Sequence, residues 1–118
     1  MAHDYPDLLA DLNRDIAALR NALPRTMQAF SGLARSASEA GDLDPKLKEL
    51  LAVGIAIAIR CDGCIGFHVK AAMGAGASRQ EILETIGMAI YMGAGPSMLY
   101  GAEALRAADE LALAAETA

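Results

Sequence analysis

Tryptophan is absent from this sequence, and its aromatic residues amount to two phenylalanines and three tyrosines. Large rings usually supply much of the bulk of a small core, so this interior must be built from aliphatic side chains. Basic clusters are missing as well. The net charge is −5 and the sequence pI is about 4.8, and an acidic surface without a basic stripe repels phosphate backbones, which excludes a nucleic-acid partner. No apolar run is long enough to cross a membrane. The longest, Leu50 to Ile59, is about half of the roughly 20 residues a spanning helix needs, and it is expected to be a helix buried on most sides. Met1 to Asp7 contain neither the basic nor the apolar part of a secretory leader. A reducing cytoplasmic location is therefore expected.

What is abundant is alanine and leucine, both strong helix formers, in a chain that is 54% hydrophobic. At 118 residues the expectation is one domain over residues 1–118 with an unfavourable surface-to-volume ratio. A chain this apolar is expected to bury part of its surface against copies of itself.

Helical punctuation recurs and strand punctuation is nearly absent. Leu8, Leu12, Ile16, Leu19 and Leu23 keep helical spacing over residues 7–22. Pro24 suits the first turn of a second helix, carrying Met27, Phe30 and Leu33 toward Ala40 before a stop at Gly41. Asp44 and Pro45 read as an N-cap and first helical residue, opening a third helix to about Ile59 or Arg60. Val53 to Ile59 alternate apolar residues with alanine, which gives no polar face, so the helix is kept there. A fourth helix is expected from Cys61 or Asp62 to Met73, closed by Gly74 and Gly76. Ser78 to Glu81 form a capping box before Ile82, Leu83, Ile86 and Ile90. Gly93 to Pro96 should end that fifth helix, and a sixth follows with Met98, Leu99, Ala102, Leu105, Ala108 and Leu111 on one stripe. Ala114 to Ala118 are expected to fray. The fold class is all-α, a bundle of about six helices, with N-terminal helices in residues 1–40 and the core in residues 44–105.

Only two cysteines occur, Cys61 and Cys64, at the spacing of a redox dithiol, with His68 one helical turn beyond the second. In a reducing compartment such a pair is more often catalytic or metal-binding than a permanent staple. On a helix opening at Cys61, Cys64 lies about 60° and His68 about 20° around the axis, so all three share one face. Cys64 and His68 are i and i+4 neighbours, which allows the imidazole to take a thiol proton. Cys61 occupies the first turn, where free backbone N–H groups and the helix dipole favour a thiolate. The sulfurs can close a small disulfide ring and reopen it. Glu49 falls on the preceding helix at the edge of the most apolar stretch, either aimed inward as a proton-transfer group or solvated beside Lys46 and Lys48. Zinc ligation by Cys61, Cys64, His68 and Glu49 is a chemically sound alternative. His3 and the methionines are assigned no role, and Tyr91 and Tyr100 are explained by helix packing as well as by a pocket.

Glu49, Cys61, Cys64 and His68, spaced E-x11-C-x2-C-x3-H, resemble the signature of the alkyl hydroperoxidase D-like branch of the carboxymuconolactone decarboxylase family. Gly93 to Gly101 resemble that family's glycine-proline turn, and the similarity covers about Asp44 to Leu105. The resemblance implies a homotrimeric or homohexameric helical protein that reduces hydroperoxides without a bound cofactor and is restored by an external dithiol of lipoyl-type chemistry. It implies Cys64 as nucleophile, Cys61 as resolving thiol, and Glu49 with His68 as proton relay, whereas the dipole argument makes Cys61 the more acidic thiol. Well-known members carry a histidine just before the second cysteine, where this chain has Gly63. The family's decarboxylase branch lacks the dithiol, which counts against a lyase.

Overall fold

A computed structural model describes residues 4–117, all of whose regular structure is helical. The elements are α1 (Tyr5–Ala22), α2 (Pro24–Ser38), α3 (Pro45–Ala58), α4 (Asp62–Gly74) and α5 (Arg79–Thr117). No helix among the described residues is long and apolar enough to cross a membrane. His3 lies outside the described residues.

Local chemistry sets most boundaries. Asp4 caps α1, its carboxylate accepting from the Asp7 N–H at 2.8 Å. This start lies two residues earlier than expected because Asp4 and Pro6 form a cap and first turn. Pro24 opens α2, which ends at Ser38 rather than Ala40. Its terminal carbonyls are taken by Lys48, whose Nζ donates to Ala37 O at 3.0 Å and Glu39 O at 2.6 Å. Asp44 caps α3 through the Leu47 N–H at 2.8 Å. Ser78 and Glu81 make the reciprocal capping box at 2.9 and 3.0 Å, and Lys46 pairs with Glu81 at 2.9 Å.

The break expected in the C-terminal half is present: α5 consists of two helical segments, the expected fifth and sixth helices, joined without a loop across Ala94, which takes the non-helical φ 56° and ψ −137°. Pro96 lacks the N–H that would bond one turn back, and Ser97 folds so closely onto Gly93 that a Cβ there would have no space. The glycine-proline cluster thus interrupts the helix as expected, with no loop between the two segments. Among the described residues α5 runs through Thr117, whose hydroxyl donates to Ala114 O at 3.1 Å; Ala118 lies outside them.

The core lies where α3, α4 and α5 meet. Val53, Ala56 and Ile57 face Ile65, Val69 and Ala72, and Ile82, Ile86, Ala104 and Ala107 close the third side. Each large aliphatic buried this way contributes about 1.5–3 kcal/mol. α1 lays Tyr5 and Leu9 onto α4, while α2 buries no residue. The apolar run of α3 is covered on one face only. Leu51, Ile55 and Ile59 are exposed, and Leu51 and Ile55 share a cleft with Met88 and Met92 of α5, which are exposed as well. This cleft of about 440 Å³ runs between the two helices.

Candidate active site

The α3–α4 corner places the cysteines. Arg60 adopts φ 60°, the left-handed conformation that terminates a helix. This lets Arg60 N–H donate to Ile57 O at 3.2 Å and Cys61 N–H to Ala56 O at 3.1 Å. Cys61, three residues beyond the end of α3 at Ala58, is the N-cap of α4. Its sulfur accepts from the Cys64 N–H at 3.2 Å and its carbonyl accepts from Ile65 N–H at 2.9 Å. Cys61 and Cys64 are joined as a disulfide, with Cα atoms 5.2 Å apart. Cys64 packs against the core, and neither residue is fully exposed.

His68 follows Cys64 by one helical turn. Its Nδ1 lies 2.7 Å from Glu49 Oε2. A carboxylate only accepts, so Nδ1–H donates and Nε2 is left free to exchange a proton. The Glu49 side chain is 20% exposed and that of His68 42%, so the dyad is anchored inside and opens outward. Of the two orientations open for Glu49, the structure has the inward one. Lys46 and Lys48 are occupied by Glu81 and by the end of α2. Among the described residues, no three His, Cys, Asp or Glu side chains converge as a metal-ion cluster.

α1 completes the surroundings. A Cβ on Gly63 would lie 2.8 Å from Leu12 Cδ1, and one on Gly66 would lie 2.8 Å from both Leu9 Cδ2 and Tyr5 Cδ1. Leu12 therefore occupies space that a side chain at position 63 would need, which accounts physically for glycine between these cysteines.

Sequence reasoning missed the polar junction beneath this corner. Tyr5 is fully buried, its hydroxyl donates to Glu103 Oε1 at 3.1 Å, and its N–H donates to Glu110 Oε1 at 2.8 Å. Arg106 lies 4.9 Å over the Tyr5 ring and pairs with Glu110 at 3.0 Å. Burial pushes the Tyr5 phenol well above its ordinary value, with further upward contributions from Glu103 and Asp62. Asp62 Oδ1 is buried and makes no hydrogen bond among the described residues. Tyr5 stands 98 positions from Glu103 and 105 from Glu110, so no local pattern announces their contact.

Residues 10–109 match the model of the carboxymuconolactone decarboxylase family. An uncharacterised protein of Cupriavidus necator is 37% identical over 111 residues, covering 94% of this chain and 98% of the relative. The crystal structure of a carboxymuconolactone decarboxylase family protein from Legionella pneumophila superposes with a TM-score of 0.88 at 46% identity, covering 91% of this chain and 96% of the other. One from Thermotoga maritima, for which involvement in antioxidative response has been suggested, gives 0.82 at 25% identity, covering 92% and 93%. Matched in sequence and in fold over most of its length, the chain belongs to the carboxymuconolactone decarboxylase family.

Proposed function

We propose that this protein is a thiol-dependent oxidoreductase of the alkyl hydroperoxidase D-like type, reducing hydroperoxides through the Cys61–Cys64 couple. The observation that carries this reading is a disulfide closed across the first turn of α4, with the Glu49–His68 dyad one turn further along the same helix. The antioxidative role suggested for the T. maritima relative agrees with it.

The chemistry balances as ROOH plus two thiols giving ROH, water and a disulfide. His68 Nε2 takes the Cys64 proton, and Glu49 stabilises the imidazolium through Nδ1–H. The Cys64 thiolate attacks the O–O bond, the alkoxide leaves as ROH with a proton from the relay, and Cys64 becomes a sulfenic acid. Cys61 then attacks that sulfur and water leaves. A resolving thiol must itself be ionised, and the N-cap position and the Cys64 N–H favour a thiolate at Cys61. Acidity at Cys61 and nucleophilic attack by Cys64 are therefore complementary. An external dithiol, of lipoyl-type chemistry in this reading, reopens the disulfide by exchange.

In this reading the protein works in the reducing cytoplasm as a homotrimer or homohexamer. The apolar face of Leu51, Ile55, Met88 and Met92 supports self-association. The test is the thiol state of the reduced protein after one equivalent of an organic hydroperoxide. Conversion to the disulfide supports the reading, and thiols that stay reduced refute it.

A further inference from the structure

Asp62 stands between the two cysteines, directly after Cys61 at the first helical position of α4. A carboxylate there suits a helix N-terminus, yet this one has a buried oxygen with no hydrogen-bond partner among the described residues. Tyr5 of α1 is close enough for the charge of Asp62 to act on its phenol, and Tyr5 is held in turn by Glu103 and Glu110 of α5, with Arg106 stacked over the ring and engaged by Glu110. Arg60, on the other side of Cys61, is exposed. Of these carboxylates Asp62 is the one inside the redox turn, and its Oδ1 has no hydrogen-bond donor among the described residues.

We propose that Asp62 is a positioning residue for charge, holding the Cys61–Cys64 pair reducing by opposing the thiolate at Cys61. This rests on the couple exchanging with an external dithiol, as in the function proposed above. The exchange is protein disulfide plus R(SH)2 giving protein dithiol plus the cyclic disulfide of R; the protein gains two electrons and two protons when both thiols are protonated. If Cys61 ends as a thiolate, one proton is released instead and a new negative charge forms beside Asp62. Repulsion between neighbouring charges then disfavours reduction. Where both thiols are protonated no charge forms, and Asp62 has nothing to oppose. The effect must therefore grow with pH, which separates it from a structural effect on the helix.

The experiment equilibrates the wild type and Asp62→Asn with mixtures of reduced and oxidised lipoamide, traps the thiols by alkylation, and reads the disulfide fraction by intact mass. Measurements at about pH 5 and about pH 9 bracket ordinary thiol ionisation. The expected result is no difference at the lower pH. At the higher pH the reduction constant should be about tenfold larger for Asp62→Asn, equivalent to ~30 mV for a two-electron couple. Asp62→Glu, which keeps the charge, should follow the wild type. Equal constants at both pH values, or the same shift at both, would overturn the proposal. Failure of hydroperoxide to oxidise the wild-type dithiol, with this pH-dependent shift present, would remove the peroxidase reading and leave Asp62 its role.

Discussion

Replacing Gly66 by alanine should destabilise the protein, although alanine is the better helix former. Gly66 is buried in α4 beneath α1. Its new methyl would lie 2.8 Å from Leu9 Cδ2, 2.8 Å from Tyr5 Cδ1 and 3.3 Å from Tyr5 Cε1. The leucine methyl can turn aside, but the tyrosine ring cannot, because its hydroxyl is held by Glu103 and its N–H by Glu110. Overpacking a core costs about 1–3 kcal/mol, and the pinned ring puts this site in the upper half of that range. Alanine's helix preference returns about 1 kcal/mol, leaving a net loss of about 1–2 kcal/mol. Gly32 of α2 supplies the control, since nothing lies within 4 Å of its added methyl. Gly32→Ala should stabilise by about 0.5–1 kcal/mol. Urea unfolding followed by circular dichroism measures both variants against the wild type, and an unchanged slope keeps the comparison valid. If Gly66→Ala is as stable as the wild type or as Gly32→Ala, the packing of α1 on α4 is not as described.

Two more outcomes concern pH and assembly. The Tyr5 phenol is raised by burial and by Glu103 from a starting value of 10.0. Above about pH 10 the native state therefore holds a proton that the unfolded state has lost. This contribution is fully present below pH 10 and declines above it by at most ~1.4 kcal/mol per pH unit; Tyr5→Phe should flatten the alkaline limb, and an identical limb would contradict the assignment. Ile55 is 60% exposed on the apolar face of α3, and Ile55→Asp should lower the mass measured by light scattering toward that of one chain. An unchanged assembly would show that this face is not the contact.

The helices were legible wherever a side chain closes its own turn. Asp44, the Ser78–Glu81 pair and Pro24 each fix a boundary through groups within three residues. The break at Gly93 to Pro96 was legible from its glycines and proline, whereas the immediate restart of the helix after Ala94, with no loop, was not. The same division holds at the site. Cys61, Cys64 and His68 share a face by helical arithmetic alone, but the direction of Glu49 was settled only by α3 packing beside α4. Tyr5, Glu103, Arg106 and Glu110 meet across most of the chain's length, so no spacing rule finds them. Leu12 against Gly63 belongs to the same class: glycine was visible in the sequence, and the helix filling its space was not.

The most direct test of the redox assignment begins with fully reduced, metal-stripped protein. One equivalent of an organic hydroperoxide is added, and intact mass and free thiols are followed in time. The expected result is rapid loss of two hydrogens, reversed by dihydrolipoamide and absent in Cys64→Ser. His68→Ala and Glu49→Gln should retain helicity and each react about 10²–10⁴-fold more slowly, the usual contribution of general acid–base catalysis. Thiols that remain reduced in the wild type would contradict a hydroperoxide-reducing dithiol, and unchanged rates in both relay variants would contradict the roles given to Glu49 and His68.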